Sequence, residues 1–392
     1  MTTAAARHAF SFPMLVSGFI AVLIGYSSSA ALIFQAAQAA GATPAQIGGW
    51  FSMLGIGMGL ASLALSLWTR MPILAAWSTP GAALLATSVQ GLSLNEVVGV
   101  FVATNLLIVL SGITGLFARL MHHIPQSLAA AMLAGILLRF GTATFSGLQD
   151  NAALCGSMCL VWLAGRRWLP RYAILMALLA GVLVALGQHA IHFPSGALTF
   201  SVPQFIMPHF SLTALPGVVL PYFLVTMASQ NAPGIATLQA HGYQPPVSAL
   251  TGWTGFIALV LSPFGGFSVC IAAITAAICM GDEVDADPRR RWMASAIAGL
   301  FYLLTGLTGA LVAVLLSALP PVLIATLAGL ALLVTLAGSL QRALAEPAQR
   351  DSAIVAFLVT ASGVSLFGVG AAFWGLAGGL LVHLLLSPRR AD

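Results

Sequence analysis

Pro72-Ile73-Leu74-Ala75-Ala76-Trp77-Ser78-Thr79-Pro80-Gly81 is the stretch on which the reading of this chain turns. Pro72 and Pro80 each disfavour helix in the residue before them. Ser78 or Thr79 suits a helix N-cap, Pro80 suits the first helical position, and the apolar run 82–86 continues the helix. The segment therefore starts extended and turns helical. A second stretch, Ser262-Pro263-Phe264-Gly265-Gly266-Phe267-Ser268, follows the same pattern. Gly265 and Gly266 release the backbone there, and Ser268 precedes a small-residue helix expected over 269–277. Aligning Trp77-Ser78 with Phe267-Ser268 also lays Ala82-Ala83 over Ala272-Ala273.

The surroundings of these two interruptions give them meaning. Of 392 residues, 59% are hydrophobic and 6% charged, and mean hydropathy is +1.01. That leaves too little polar surface for a water-soluble globule. Apolar blocks of about twenty residues, the length of a membrane-crossing helix, alternate with short polar breaks. Stretches such as 304–316 and 322–336 are apolar all round, which sets aside a barrel of period-two strands. The apolar segment from 12 to about 34 is longer than a secretory signal's core, so it reads as the first span. Unpaired amides in hydrocarbon cost several kcal/mol, so a broken helix is tolerated only when buried in protein or lining a cavity. Two half-helix N-termini, with their free N–H groups and positive dipole ends, predict a site for an anion. The plainer alternative is a pair of kinks relieved by neighbouring helices.

All fourteen basic residues are arginines. With about fourteen spans, every one except Arg139 falls in a terminal tail or in a connection after an even-numbered span. That asymmetry predicts cytoplasmic termini and accounts for the net charge of +5 as a topology signal; a nucleic-acid surface is set aside. Cys155, Cys159, Cys270 and Cys279 lie in apolar segments and read as small hydrophobes.

Gln38-Ala39-Ala40-Gly41-Ala42-Thr43-Pro44 and Gln239-Ala240-His241-Gly242-Tyr243-Gln244-Pro245 share the pattern Gln-Ala-x-Gly-x-x-Pro. The same alignment sets Tyr26-Ser27-Ser28-Ser29 against Met227-Ala228-Ser229-Gln230 and brings Asn231 opposite Ala30. An odd number of spans between the copies inverts one half relative to the other, as seven plus seven does. The predicted fold class is an all-α polytopic membrane protein of about fourteen segments as 7+7 inverted repeats, with spans 3 and 10 broken. Residues 1–192 form the first repeat and 211–392 the second.

Several of these residues carry a family resemblance. The Phe10-Ser11-Phe12-Pro13 entry, Gly25-Tyr26-Ser27-Ser28-Ser29, Trp77-Ser78-Thr79-Pro80-Gly81 and Gln230-Asn231-Ala232-Pro233-Gly234 resemble the benzoate:proton symporters of bacteria over nearly the whole chain. That group looks like part of a wider one including nucleobase, sulfate and bicarbonate transporters. The resemblance implies a core domain of spans 1–4 and 8–11 and a gate domain of spans 5–7 and 12–14. It puts Ser78, Thr79 and Gly81 on one half-helix and Gly266, Phe267 and Ser268 on the other, with Gln230 and Asn231 below and Ser29 beside them. Nucleobase relatives hold a neutral ring with carboxylates in these neighbourhoods, whereas this chain offers amides and hydroxyls, which donate to an anion instead of repelling it.

The implied function is import of an aromatic carboxylate, benzoate first, by proton symport with alternating access across the bacterial inner membrane. A transporter or exchanger of another small anion or of a nucleobase is the alternative, and an anion channel or an intramembrane enzyme ranks below it. No Walker loop, His-Glu-x-x-His or Gly-x-Ser-x-Gly is present. No cofactor or metal is called for. The expected partners are a small anion, protons and the lipid bilayer, with a homodimer left open. His241, Glu96 and Asp150 are the candidates for proton coupling, each with a plain helix-end or loop role as its alternative. Arg139, inside an apolar block, pairs with Asp150, lines an entry path or, on the plainer alternative, snorkels to an interface. The acidic run from Asp282 to Asp287 reads as a solvated loop.

Overall fold

The computed structural model describes residues 11–115, 126–193, 202–367 and 369–386. The terminal arginines 7, 389 and 390, and Arg119, on which part of the orientation reading rests, lie outside them. The first half comprises α1 (Phe12–Ala39), α2 (Pro44–Thr69), β1 (Ala75–Ala76), α3 (Thr79–Ser88), α4 (Leu94–Thr114), α5 (Gln126–Asp150), α6 (Ala152–Trp168) and α7 (Ala173–Gly187). A helical run over 215–240, here α8, opens the second half. It joins α-helical Leu220–Thr226 and Ala232–Ala240 through π-helical turns at Leu215–Val219 and Met227–Asn231. There follow α9 (Val247–Leu261), β2 (Cys270–Ile271), α10 (Ile274–Ile278), α11 (Trp292–Leu307), α12 (Gly309–Ala318), α13 (Pro321–Ala343), α14 (Arg350–Ser362) and α15 (Ala371–Leu386). Among the described residues, seven helices are long and apolar enough to cross a membrane, and α11 with α12 makes an eighth candidate bent by 67°.

The helices pack through small residues, as expected where lipid is as apolar as leucine and close backbone approach supplies the attraction. On α2, Gly55 and Gly59 meet Gly306 and Gly299 of α11; a Cβ on Gly55 would sit 2.6 Å from the Gly306 α-carbon. On α4, Gly112 meets Gly252 of α9 at 2.7 Å by the same measure. Elsewhere α5 packs along α13, α6 along α7, and α14 along α15.

The shared Gln-Ala-x-Gly-x-x-Pro pattern has the same backbone in both places. Gly41 and Gly242 take left-handed φ of 76° and 83°. The Ala42 N–H donates to the Ala37 carbonyl at 3.0 Å, and the Tyr243 N–H to Leu238 at 3.1 Å. Gly41 and Gly242 donate to Gln38 and Gln239, each at 2.9 Å. Both ends are Schellman motifs, which need a residue without a Cβ penalty at that position.

The two interrupted stretches meet. β1 and β2 form a two-residue antiparallel ladder with Ala75 opposite Ile271 and Ala76 opposite Cys270. α3 begins after N-cap Ser78, whose Oγ accepts from the Gly81 N–H at 3.0 Å. α10 begins after Ala273, with no side-chain cap. Here the structure corrects the sequence alignment. Ladder register and N-caps make Ser78 equivalent to Ala273 and Trp77 to Ala272, five positions away from the expected match with Phe267-Ser268. Ser268 is not a cap: 269–272 stay extended, and the helix expected over 269–277 is only five residues long. Gly265 takes φ 88° as the αL end of the 3₁₀ turn Ser262–Phe264, and from there the chain runs through Gly266, Phe267 and Ser268 into β2, which starts as far ahead of α10 as β1 does of α3.

Candidate substrate site

Around the β1–β2 crossing lies a buried set of hydroxyls, amides and backbone groups joined across four segments. The Ser78 N–H donates to Ser268 Oγ at 2.9 Å, and Ser78 and Ser268 are 0% and 2% exposed. Thr226 Oγ1 of α8 donates to Ser78 Oγ at 3.2 Å. Asn231 Oδ1 accepts from the Ile271 N–H at 2.9 Å, while its Nδ2 donates to Met227 Sδ at 3.2 Å. The π-helical turn at Met227–Asn231 carries this amide toward β2; such bulges insert one residue into a helix and are frequent at functional sites. On the α1 side, Trp77 Nε1 donates to Ser29 Oγ at 2.6 Å, and Ser29 donates onward to the Gly25 carbonyl at 2.9 Å.

Of the residues expected at the site, Ser29, Ser78, Gly81, Ser268 and Asn231 lie in one neighbourhood. Thr79 at the first turn of α3 and Gln230 are there too, both partly exposed, with α3 packed against the 227–231 turn. Phe267 and Gly266 hold different places from those expected. The Phe267 ring is fully buried among Trp50 (5.9 Å between centroids) and Phe101 (5.1 Å), and its carbonyl accepts from Tyr222 Oη at 3.2 Å and Asn105 Nδ2 at 3.0 Å. Gly266 is required by crowding: a Cβ there would lie 2.5 Å from the Leu261 Cβ. Gly81 is pressed against the Tyr222 ring.

Tyr222, Thr226 and Asn105 were missed. Asn105, 1% exposed, also donates to Ser262 Oγ at 2.9 Å and ties α4 to the 3₁₀ turn before Gly265. A lone amide within the apolar run 97–110 was the available signal. The free donors expected at both half-helix ends are partly used internally: the Ser78, Gly81, Ile271 and Ala272 N–H groups all have protein acceptors. No charged side chain takes part in these hydrogen bonds.

The proton-coupling candidates do not join this cluster. Glu96 sits in a capping box with Ser93, accepting from its N–H at 2.8 Å. Exposed His241 C-caps α8, with Nδ1 2.8 Å from the Thr237 carbonyl. Asp150 is the exposed last residue of α5, eleven positions and so roughly 16 Å along the axis from Arg139, which rules out their pairing within the helix. The acidic loop is not wholly solvated: Arg291, 6% exposed, draws it in through Met280 O at 2.7 Å, Asp285 O at 2.8 Å and the Asp282 carboxylate.

An all-helical bundle that buries two crossed extended segments with an uncharged donor set defines a multi-pass membrane transporter. The solved structures it resembles have that fold. The transmembrane domain of the cyanobacterial bicarbonate transporter BicA matches with TM-score 0.61 at 16% identity, over 96% of each chain. SLC26A9 matches at 0.64 and 15%, over 95% of this chain and 65% of that one. Residues 8–385 match the family model described as "Benzoate membrane transport protein", and the chain belongs to that family. It is 57% identical over 375 residues to "Inner membrane protein YdcO" of Escherichia coli (strain K12), covering 96% of each. It is 36% identical over 383 residues to the "Benzoate membrane transport protein" of Acinetobacter baylyi (strain ATCC 33305 / BD413 / ADP1), covering 98% of this chain and 97% of that one. Family and neighbours are membrane transporters, so the chain is not an enzyme.

Proposed function

We propose that this protein is a secondary active transporter that imports an aromatic carboxylate, benzoate first, with a proton, across a bacterial inner membrane. The observation that carries the reading is the carboxylate-free polar cluster at the crossing, in a chain 36% identical to a benzoate membrane transport protein. The substrate carboxylate takes over the Ser78 N–H, now held by Ser268 Oγ, and accepts from the Ser268 and Thr79 hydroxyls. The N-terminus of α3 supplies favourable potential, and Gln230 and Asn231 close the site from α8. Exchanging neutral partners costs less than displacing an ion pair, which suits a site that must also release. With no carboxylate or histidine in the cluster, the proton rides on the substrate, because moving benzoate with one proton is thermodynamically moving benzoic acid.

The same reading divides the chain into 7+7 inverted segments, 1–192 and 211–392, with α11 and α12 as one bent segment and both termini cytoplasmic. The matched α2–α11 and α4–α9 glycine contacts and the matched helix-end motifs support it. Core and gate then separate as spans 1–4 with 8–11 and spans 5–7 with 12–14, and alternating access is a movement of one against the other. The test is uptake of labelled benzoate into proteoliposomes under an imposed pH gradient, against a panel of nucleobases and inorganic anions. Accumulation that collapses with the gradient is expected. Accumulation of another panel member and not of benzoate removes the substrate assignment.

A further inference from the structure

Arg139 is the one charged side chain, among the described residues, set in the interior of a membrane helix rather than at its ends; the other described arginines cap helices, end them or sit in connections. Charge at that depth is expensive and is kept where it meets a ligand, a partner or water. Arg139 forms no ion pair among the described residues. Its guanidinium instead lies against Gly363, the C-cap of α14, where φ is 70° and any Cβ would collide with it. The α14 carbonyl end offers a partial negative charge that holds the guanidinium without neutralising it.

Arg139 also lines an open pocket of about 200 Å³. Gln35 of α1 and Thr87 of α3 form one wall, Arg139, Phe140 and Ala143 of α5 the facing one, and Ala325 of α13 a third. Its volume falls below the roughly 300 Å³ at which drug-sized pockets begin, which suits a single-ring molecule. Thr87 lies eight residues beyond Thr79, so the pocket sits roughly 12 Å along α3 from the crossing, at the opposite end of that helix. It also lies between helices assigned above to core and gate.

We infer that this pocket is a separate receiving site for an aromatic carboxylate, in which Arg139 captures the anion before it reaches the β1–β2 crossing. The guanidinium binds the carboxylate, Phe140 offers an apolar face to the ring, and the Gln35 amide adds a donor. An exposed cation at a mouth raises local anion concentration and the encounter rate, an effect that salt screens over a Debye length of about 8 Å at physiological ionic strength. The crossing, buried and uncharged, has no such dependence. This inference rests on the transporter reading given above.

The experiment compares wild type, Arg139→Gln, Arg139→Lys and Ala143→Leu in proteoliposomes, measuring initial benzoate uptake against concentration at low and high ionic strength. Wild-type KM is expected to rise with salt. Arg139→Gln should raise KM about tenfold at low salt and lose the salt dependence, with maximal rate within about twofold, whereas Arg139→Lys keeps the dependence. Ala143→Leu fills the pocket without changing charge and should raise KM on its own, which keeps the test alive if Arg139→Gln fails to fold. Wild-type KM and salt response in both Arg139→Gln and Ala143→Leu overturn the inference, as does a fall in maximal rate alone, which marks a structural arginine. If wild type takes up another anion with the same Arg139 dependence, the receiving site stands and the benzoate assignment fails. If it takes up no anion saturably, both fail.

Discussion

Replacing Gly81 with alanine tests whether the α3 N-terminus, α8 and the second extended segment act as one assembly. A Cβ at position 81 runs into the Tyr222 ring and comes within 2.7 Å of Ser78 Oγ and 3.0 Å of Ser78 Cβ. Tyr222 is 1% exposed and hydrogen-bonded to the Phe267 carbonyl, so it has no solvent to retreat into. Overpacking a buried contact costs about 1–3 kcal/mol, and pulling the tyrosine hydroxyl off its acceptor adds about 0.5–1.5 kcal/mol. A loss of about 2–4 kcal/mol is expected, together with failed uptake, because the same displacement moves the Ser78 cap. Thermal unfolding in detergent and proteoliposome uptake read the two effects. Tyr222→Leu in the Gly81→Ala background relieves the collision and should recover about 1 kcal/mol or more beyond additivity. Wild-type stability in Gly81→Ala, or strictly additive costs in the double variant, refutes the packing account.

Ser268→Asp and Thr79→Asp, made separately, should abolish benzoate uptake while leaving extraction and monodispersity unchanged, because each sets a negative charge where the substrate carboxylate is held; uptake at wild-type rate would displace the site. Gly266→Leu should block binding and destabilise by about 1–3 kcal/mol through overlap with Leu261, and unaltered benzoate affinity would count against it. Asn105→Leu removes two donors from Ser262 and Phe267 and should cost about 1–3 kcal/mol in unfolding measurements, with Asn105→Gln intermediate. Neutral replacements Glu96→Gln, Asp150→Asn and His241→Gln should each retain gradient-driven accumulation, since all three residues sit at helix ends outside the crossing; one that keeps exchange yet loses accumulation would identify a dedicated proton group.

The sequence by itself determined that the bilayer is the solvent, that two helix ends share one motif, and which polar residues interrupt the apolar segments. Those conclusions depend on composition, on span-length apolar blocks and on helix-ending chemistry, all local. The Gln-Ala-x-Gly-x-x-Pro ends illustrate this: a Schellman motif is dictated by one glycine and its immediate neighbours, and both copies fold alike. The Ser78 cap was legible for the same reason. Only the tertiary structure decided the register of the second extended segment, because ladder partners nearly two hundred positions away (Ala75 with Ile271, Ala76 with Cys270) fix it and Ser268 looks locally like a cap. It also decided that Phe267 packs its ring in an aromatic cluster and contributes its carbonyl, that Asn231 reaches β2 through a π-helical turn, and that Asn105, Tyr222 and Thr226 complete the network. Hydrogen-bond partners far apart in sequence leave no periodic trace. In a membrane interior a buried polar group without a partner is costly, so the fold pairs most of them in a network of which the sequence shows only the members.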